Sequence, residues 1–165
     1  MSKSITIRSA TQSDIHWIVG LLQDGANGGH FGGRVREQAQ SVIEATLSNG
    51  GFAMLKLRDG ASMQAFIPAR LDVAELNGIP GAFLLSLDHG DEIELHLAAT
   101  HKDVRRNGLF GELVRASVRE ERRAIYIARC YRKSTWAVSA LEKEGFTRRK
   151  AGDPVELARV LHAPA

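Results

Sequence analysis

The stretch from Asp91 to Val118 constrains the fold more than any other part of the chain. Its first ten residues read DEIELHLAAT, in which Ile93, Leu95 and Leu97 alternate with polar side chains. A period of two predicts a strand with one buried face. From Gly108 the sequence reads GLFGELVRASV, where the apolar residues recur at helical spacing. The basic connector HKDVRRN joins the two patterns, so the stretch predicts a strand, a basic turn and a helix.

The predicted turn has the features of an anion site. The first-turn amides of a helix have no intrahelical acceptor, and the helix dipole adds positive potential at that end. Gly108 allows a phosphate to approach the backbone, while Arg105 and Arg106 add charge. Neither common phosphate loop is present, because GxxxxGK is absent and the glycines at 108 and 111 do not form GxGxxG. The alternative is a basic helix start on a solvated surface.

The composition fits a single soluble domain spanning residues 1–165. The chain is 44% apolar and 25% charged, and its length suffices to bury about 70% of the unfolded surface. The single cysteine, Cys130, rules out an internal disulfide and fits a reducing compartment. No apolar run approaches the roughly 20 residues of a membrane span, and the first residues lack an apolar signal core. We therefore expect a cytoplasmic protein without a membrane segment.

Positive charge is concentrated in the C-terminal half, although the formal net charge is only +3. A polyphosphate ligand explains part of this excess, and RNA is the alternative partner that would explain more. Beyond Arg106, however, the arginines interleave with Glu112, Glu120 and Glu121, a pattern typical of a solvated helix face. The sequence therefore favours a solvated surface, with nucleic acid as the alternative.

The other patterns predict short strands and helices in a mixed order. They give a strand, two helices, three strands, the central strand, a helix, a strand, a helix and two strands. The predicted strands are 4–8, 52–57, 63–67, 79–87, 91–100, 124–130, 146–149 and 155–161, and the predicted helices are 15–25, 35–47, 108–118 and 135–144. Residues 69–76 fit a helix or a strand, and Pro68 interrupts the pattern before them. A glycine-rich segment, 25–33, separates the first two helices.

Two segments resemble motifs of the GNAT superfamily of N-acyltransferases. Arg105–Phe110 reads RRNGLF and resembles the acyl-CoA pyrophosphate loop, Gln/Arg-x-x-Gly-x-Gly/Ala, with Phe110 in place of the last small residue. Ser134–Phe146 reads STWAVSALEKEGF and resembles the later pattern Asn-x-x-Ala-x-x-x-Tyr-Glu-Lys-x-Gly-Phe. Here Ser134 replaces the asparagine and Leu141 replaces the tyrosine. The predicted order of elements is similar to the GNAT fold over nearly the whole chain.

The resemblance implies an α/β fold with mixed strand directions and a transferase function. The expected architecture is a mixed, mostly antiparallel sheet of six to seven strands flanked by about four helices. The expected activity is transfer of an acetyl group from acetyl-CoA to an amine, by direct attack in a ternary complex. The expected acceptor is a small-molecule or peptide amine, and a homodimer is a family-level expectation. No metal is expected, because the six histidines lack ligand spacing.

Coenzyme A would lie along the end of the central strand and the helix that follows it. In the family, the pantetheine arm hydrogen-bonds to the strand end like an extra strand, and small side chains fit that role. The expected cofactor contacts are Ala98, Ala99, Thr100, Arg105, Arg106, Asn107, Gly108, Leu109, Phe110, Gly111 and Ser134. The alternative for the two alanines is that they only pack under a helix.

Catalysis would require a base for the amine and an acid for the leaving thiolate. Glu94 stands where the family often places its base, and Glu92 and His96 share its predicted strand face. Their proximity would raise a carboxyl pKa or form a water relay, whereas the alternative is an ordinary polar sheet face. Because Leu141 cannot donate a proton, Tyr131 is the predicted substitute for the family tyrosine, and water is the alternative.

Acceptor recognition is expected on the glycine-rich segment, because loops carry specificity on a fixed scaffold. His30 and Phe31 are the predicted contacts, although Phe31 fits a core anchor equally well. Two rival functions stay open. One is an acyl-CoA-binding module with little catalysis, suggested by Phe110 and Leu141. The other is an acyltransferase acting on RNA-linked amines such as aminoacyl-tRNA, suggested by the arginines.

Overall fold

The computed structural model describes residues 2–161 and contains eight strands and four α-helices in that range. The strands are β1 (Ile5–Ser9), β2 (Gly51–Arg58), β3 (Ala61–Leu76), β4 (Ile79–Asp88), β5 (Glu92–Thr100), β6 (Ile125–Cys130), β7 (Thr147–Lys150) and β8 (Val155–Val160). The helices are α1 (Ile15–Asn27), α2 (Gly33–Asn49), α3 (Leu109–Glu121) and α4 (Thr135–Lys143). The predicted order of elements is confirmed.

The strands form one mixed sheet in the order β1-β3-β4-β5-β6-β8-β7. All neighbours are antiparallel except β5 and β6, which run parallel and are joined by α3. This continuous order contains seven strands, the upper number predicted from the sequence. β2 is an eighth strand that pairs only with the first half of β3.

Apolar side chains form two cores, one on each face of the sheet. Helices α1 and α2 cover one face with Ile18, Leu22 and Ile43, which pack on Phe83 and Leu85 of β4. Helices α3 and α4 cover the other face; their core residues include Leu109, Leu113, Val114, Val138 and Leu141. The central strands are thus buried on both faces, which fixes their position relative to all four helices.

A β-bulge interrupts β5 at His96. Leu97 pairs with Leu85 and Leu95 with Ser86, so the residue between them has no partner on β4. Side chains change face at this point, because a bulge adds one residue to one strand only. Leu95 therefore packs in the α3–α4 core and Leu97 in the α1–α2 core. The expectation of one apolar face along the whole strand was wrong for Leu97.

Three boundaries differ from the predictions for identifiable reasons. Helix α1 continues to Asn27 and α2 begins at Gly33, which shortens the glycine-rich connection. Residues 69–76 are strand, as part of a β3 that runs through Pro68. That proline is tolerated because it lies where β3 changes partner: β2 pairs up to Pro68, and β4 pairs from Ala69.

We predict that Tyr126→Phe destabilises the fold. The Tyr126 hydroxyl donates to the Val118 carbonyl at 3.2 Å and accepts from the Arg123 amide at 3.0 Å, and its side chain is fully buried. Both groups would lose this partner, so the free energy of unfolding should fall by about 1–3 kcal/mol, measured by urea denaturation. Tyr131→Phe, at a half-buried tyrosine, is the matched control. Equal stability of the two variants would contradict the prediction.

Candidate active site

β5 and β6 separate after four paired residues, and this separation creates the site. Parallel pairing joins Glu92–Leu95 to Ile125–Ala128, whereas β5 continues beside β4 as far as Thr100. From residue 97 onward, the edge of β5 that faced β6 has no strand partner among residues 2–161. Unpaired strand edges offer backbone donors and acceptors to an extended ligand.

The first of two adjoining cavities, here called the reaction cavity, occupies the gap between these strands. Its volume is about 270 Å³, and its apolar walls include Leu95, Ala98, Ala128, Ala137 and Leu141. The predicted site residues on its lining are His30, Phe31, Glu94, His96, Ala98, Phe110, Tyr131 and Ser134. The structure therefore brings the predicted catalytic and acceptor residues together in one place.

The second cavity, here called the phosphate cavity, lies at the start of α3 and measures about 700 Å³. Its lining contains all of the predicted loop together with one strand residue: Thr100, Arg105, Arg106, Asn107, Gly108, Leu109, Phe110 and Gly111. Gly108 is the N-cap with a left-handed φ of 83° and no side-chain cap. The first-turn amides of Leu109, Phe110 and Gly111 have no acceptor within the described part of the chain. They can bind an anion.

Basic and amide side chains complete the phosphate cavity. The side-chain amide of Asn107 donates to the carbonyls of Val104 at 2.9 Å and Arg105 at 3.2 Å. These hydrogen bonds stabilise the turn. The Arg105 and Arg106 side chains are exposed and form no ion pair within residues 2–161. Lys143 of α4 also lines this cavity, a residue that the sequence analysis did not select. The cavity is therefore basic.

Two aromatic rings stand where the cavities meet. Phe110 and Trp136 line both cavities, with ring centroids 5.7 Å apart and an interplanar angle of 77°. The side chain of Ala99 instead packs against the α1–α2 core and lines neither cavity, because it follows the bulge. Of the two predicted alanines, only Ala98 presents its side chain to the reaction cavity. Ala99 can contribute only backbone.

Glu94 is the buried charge of the reaction cavity, with 7% of its surface exposed. One oxygen, Oε1, accepts from Arg129 Nη1 at 3.0 Å and lies 3.4 Å from His96 Nδ1, while Oε2 lies 2.9 Å from His89 Nε2. Burial alone would raise the pKa of Glu94, but the hydrogen bonds from His96 and His89 and the charge of Arg129 outweigh it. The pKa falls from 4.5 to about 2. Glu94 is therefore a stable carboxylate.

Arg129 extends this charge network to a neighbouring strand. Its Nε donates to Glu156 Oε2 at 3.0 Å, and Arg149 Nε donates to Glu156 Oε1 at 2.8 Å. Burial opposes ionisation of Glu156, but the hydrogen bond from Arg149 and the nearby arginines lower its pKa overall. Sequence reasoning missed Arg129, His89 and Glu156 as site residues, because their contacts depend on strand register.

The glycine-rich connection reaches across the reaction cavity to α4. His30 Nδ1 and Ser134 Oγ are 2.7 Å apart, and Ser134 is buried. Ser134 is a predicted cofactor contact. It occupies the N-cap position of α4, but its hydroxyl bonds to His30 and caps no amide. Phe31 packs on the α1–α2 core, as the core-anchor interpretation expects, and it also lines the cavity; its contact with the acceptor stays a prediction.

Tyrosine and cysteine side chains near the gap have different roles. Tyr131 lines the reaction cavity, whereas Tyr126 is a buried packing residue. Burial raises the pKa of the Cys130 thiol to about 11, which makes it a poor nucleophile at neutral pH. Cys130 is half-buried and lines the reaction cavity.

Several C-terminal arginines pair with carboxylates. Arg115 contacts Glu112 and Glu144, Arg123 pairs with Asp88, and Arg148 pairs with Glu142. These pairs agree with the solvated-surface interpretation and weaken the argument for RNA.

No described helix is long and apolar enough to cross a membrane. Within residues 2–161, no cluster of three or more His, Cys, Asp or Glu side chains could hold a metal ion.

Comparison of the structure with solved structures confirms the fold. PaiA N-acetyltransferase from Thermoplasma acidophilum, in complex with coenzyme A, is similar with a TM-score of 0.69 and 12% identity, over 96% of this chain and 99% of that one. An acetyltransferase of the GNAT family from Staphylococcus aureus Mu50 gives a TM-score of 0.70 and 12% identity, over 96% and 100% of the two chains.

A third similar structure is yncA, a putative acetyltransferase from Salmonella typhimurium with its cofactor acetyl-CoA. It gives a TM-score of 0.66 and 16% identity, over 98% of this chain and 96% of that one. By sequence, the chain matches no protein-family model and no curated protein. The chain therefore has the GNAT fold over nearly its whole length, which confirms the architecture predicted from the sequence.

We predict that Glu94 makes stability fall on acidification. Its pKa is lower in the folded chain than the unperturbed 4.5, so its contribution is fully present above that pH and is lost as pH falls towards about 2. At pH 7, Glu94→Gln should cost roughly 3 kcal/mol of unfolding free energy, and this gap should shrink below about pH 4.5. Urea denaturation of both proteins from pH 7 to 3 measures this difference in unfolding free energy. A gap independent of pH would contradict the assignment.

Proposed function

We propose that this chain is an N-acetyltransferase that uses acetyl-CoA and transfers the acetyl group to an amine. The observation that carries the proposal is the continuous path from the unpaired edge of β5 to the free amides at the start of α3. An extended arm ending in a pyrophosphate fits this path chemically. The GNAT fold, shared with structures solved with coenzyme A or acetyl-CoA, supports the same ligand.

The residues of the two cavities suit the parts of coenzyme A. Amides of Leu109, Phe110 and Gly111 would hold the pyrophosphate, with Arg105 and Arg106 adding charge. Backbone groups of β5 from Ala98 onward would pair with the amides of the pantetheine arm. The bound cofactor would supply an activated thioester in the reaction cavity. The Phe110–Trp136 pair would then flank the arm at the boundary between the cavities.

We assign the base to His96 and give Glu94 the role of positioning it. A general base works best when its pKa lies near the working pH, and a pKa of about 2 makes Glu94 too weak. His96 lines the cavity, and its Nδ1 faces the Glu94 carboxylate at 3.4 Å. That contact favours the tautomer with hydrogen on Nδ1, which leaves Nε2 free to accept a proton. The bulge places His96 in this position.

Transfer requires a balanced set of bond changes. The amine nitrogen bonds to the thioester carbon, its proton passes to His96, and the carbon–sulfur bond breaks. A backbone amide near Ala98 would stabilise the oxyanion. Tyr131, which lines the same cavity, would protonate the thiolate in place of the missing tyrosine at Leu141, with water as the alternative. Cys130 would take no part, because its thiol stays protonated.

One rival function has a specific observation in its favour. The cavity wall at Leu141 is apolar where the family pattern has a proton donor, and Phe110 replaces a small residue in the loop. A protein of this kind could bind acyl-CoA with little turnover. Thiol release from acetyl-CoA with a broad panel of amines separates the two: turnover supports the enzyme, and binding alone supports the module.

We predict that coenzyme A stabilises the protein through the phosphate cavity. Millimolar coenzyme A should raise the melting temperature by several degrees, because a ligand at 100 times its Kd adds about 2.7 kcal/mol. Arg105→Gln with Arg106→Gln should remove most of this shift. Arg119→Gln, an exposed arginine of α3 outside the cavity, is the control and should keep the shift. If the wild type gains no thermal protection, the proposed ligand is wrong.

We predict that His96→Ala lowers kcat by about 10²–10³-fold, the usual contribution of a general base. In the wild type, kcat should decline on acidification, because a protonated base cannot accept the proton of the amine, and this decline should disappear in the variant. His16→Ala, at an exposed histidine of α1, should leave the pH profile unchanged. A wild-type kcat that stays constant down to about pH 3 would instead assign the base to Glu94.

A further inference from the structure

One carboxylate oxygen connects the proposed base to a cation. Glu94 Oε1 contacts His96 Nδ1 at 3.4 Å and Arg129 Nη1 at 3.0 Å. The imidazole and the guanidinium are therefore bridged by a single oxygen atom and lie close together. Both side chains line the reaction cavity. A molecule whose amine meets the imidazole would have its neighbouring atoms close to the guanidinium.

Arg129 retains donors for a ligand. Its Nε is bonded to Glu156 and its Nη1 to Glu94, but Nη2 has no hydrogen-bond partner within residues 2–161. Nearly half of its side-chain surface, 46%, is exposed, although both of its carboxylate partners are buried. The two carboxylates hold the guanidinium plane in place. A guanidinium fixed in this way is suited to bind a third carboxylate, that of a ligand, through a remaining edge.

Part of the reaction cavity's lining is apolar. Phe31 and Val35 approach from the α1–α2 side, and Tyr131 and Pro154 approach from the β6 and β8 ends. An acceptor in the cavity would pack an apolar group on these side chains while Arg129, which also lines the cavity, binds an anionic group.

We infer that the acceptor is an amine with a carboxylate on the adjacent carbon, an α-amino acid with an apolar side chain, and that Arg129 binds its carboxylate. This inference rests on the proposed function, and it excludes a peptide amine, whose carboxylate lies at least one residue away. The same contact would set the amine beside His96. Arg129 is thus a specificity-determining residue.

The test compares acceptors that share the leucine carbon skeleton and differ in the group at the carboxylate position. Acetyl-CoA turnover is measured with leucine, leucinamide, a leucine-led dipeptide and isoamylamine as acceptors. Leucine should exceed leucinamide in kcat/KM by at least about tenfold, because a charge-assisted hydrogen bond is worth about 1.5–3 kcal/mol. Arg129→Gln should bring the ratio close to one, while Arg129→Lys should keep part of it. A structural role alone would lower both rates equally and leave the ratio unchanged.

Arg149→Gln is the matched control, since Arg149 also bonds to Glu156 but does not line the reaction cavity. The Arg149→Gln variant should keep the full ratio of kcat/KM for leucine over leucinamide. A second measurement does not depend on turnover: with coenzyme A present, N-acetylleucine should raise the melting temperature more than N-acetylleucinamide, and Arg129→Gln should abolish the difference. Turnover of leucinamide, the dipeptide or isoamylamine at the rate of leucine would overturn the inference and leave the acetyltransferase standing. Equal stabilisation by the two products would overturn it as well.

Discussion

The site depends on the loss of pairing between two parallel strands. β5 pairs with β6 for only four residues. Beyond them, β4 is its sole strand neighbour among residues 2–161, with a bulge at His96 where the change occurs. The separation exposes backbone hydrogen-bonding groups inside a covered sheet, which is costly unless a ligand or water satisfies them. The same bulge turns Leu97 into the opposite core and sets His96 at the cavity wall. A single irregularity thus places the ligand path and the proposed base together.

The charge network beside this gap is stable because every buried carboxylate in it has cationic partners. Glu94 is contacted by Arg129, His89 and His96, and Glu156 by two arginines. Buried ion pairs recover their desolvation cost only when such hydrogen bonds are complete. Removal of one member would leave another buried and unpaired. We therefore attribute to Glu94 a structural and positioning role, since the interactions that lower its pKa also make it a weak base.

Local patterns predicted the elements, and the turn chemistry at Gly108 predicted where a phosphate would bind. Those features depend on neighbouring residues, so a single sequence contains them. The features that were missed depend on distant pairs. His30 meets Ser134 across 104 residues and Arg129 meets Glu94 across 35, and no local sequence pattern contains either pair. The bulge at His96 leaves no trace in an alternating sequence, which is why Leu97 was placed on the wrong face and Ala99 in the cavity lining.

The His30–Ser134 contact also explains why the cavity has walls from both layers of the molecule. His30 belongs to the connection between α1 and α2, whereas Ser134 begins α4 on the opposite face of the sheet. The hydrogen bond between them crosses the gap that opens where β5 and β6 separate. The apolar wall at Phe31 is held by the same connection, with its ring against Gly25, where even a Cβ atom would collide with it. The proposed acceptor site is therefore positioned by two packed cores, and a change in the connection should alter its specificity without disturbing the proposed ligand path on β5 and α3.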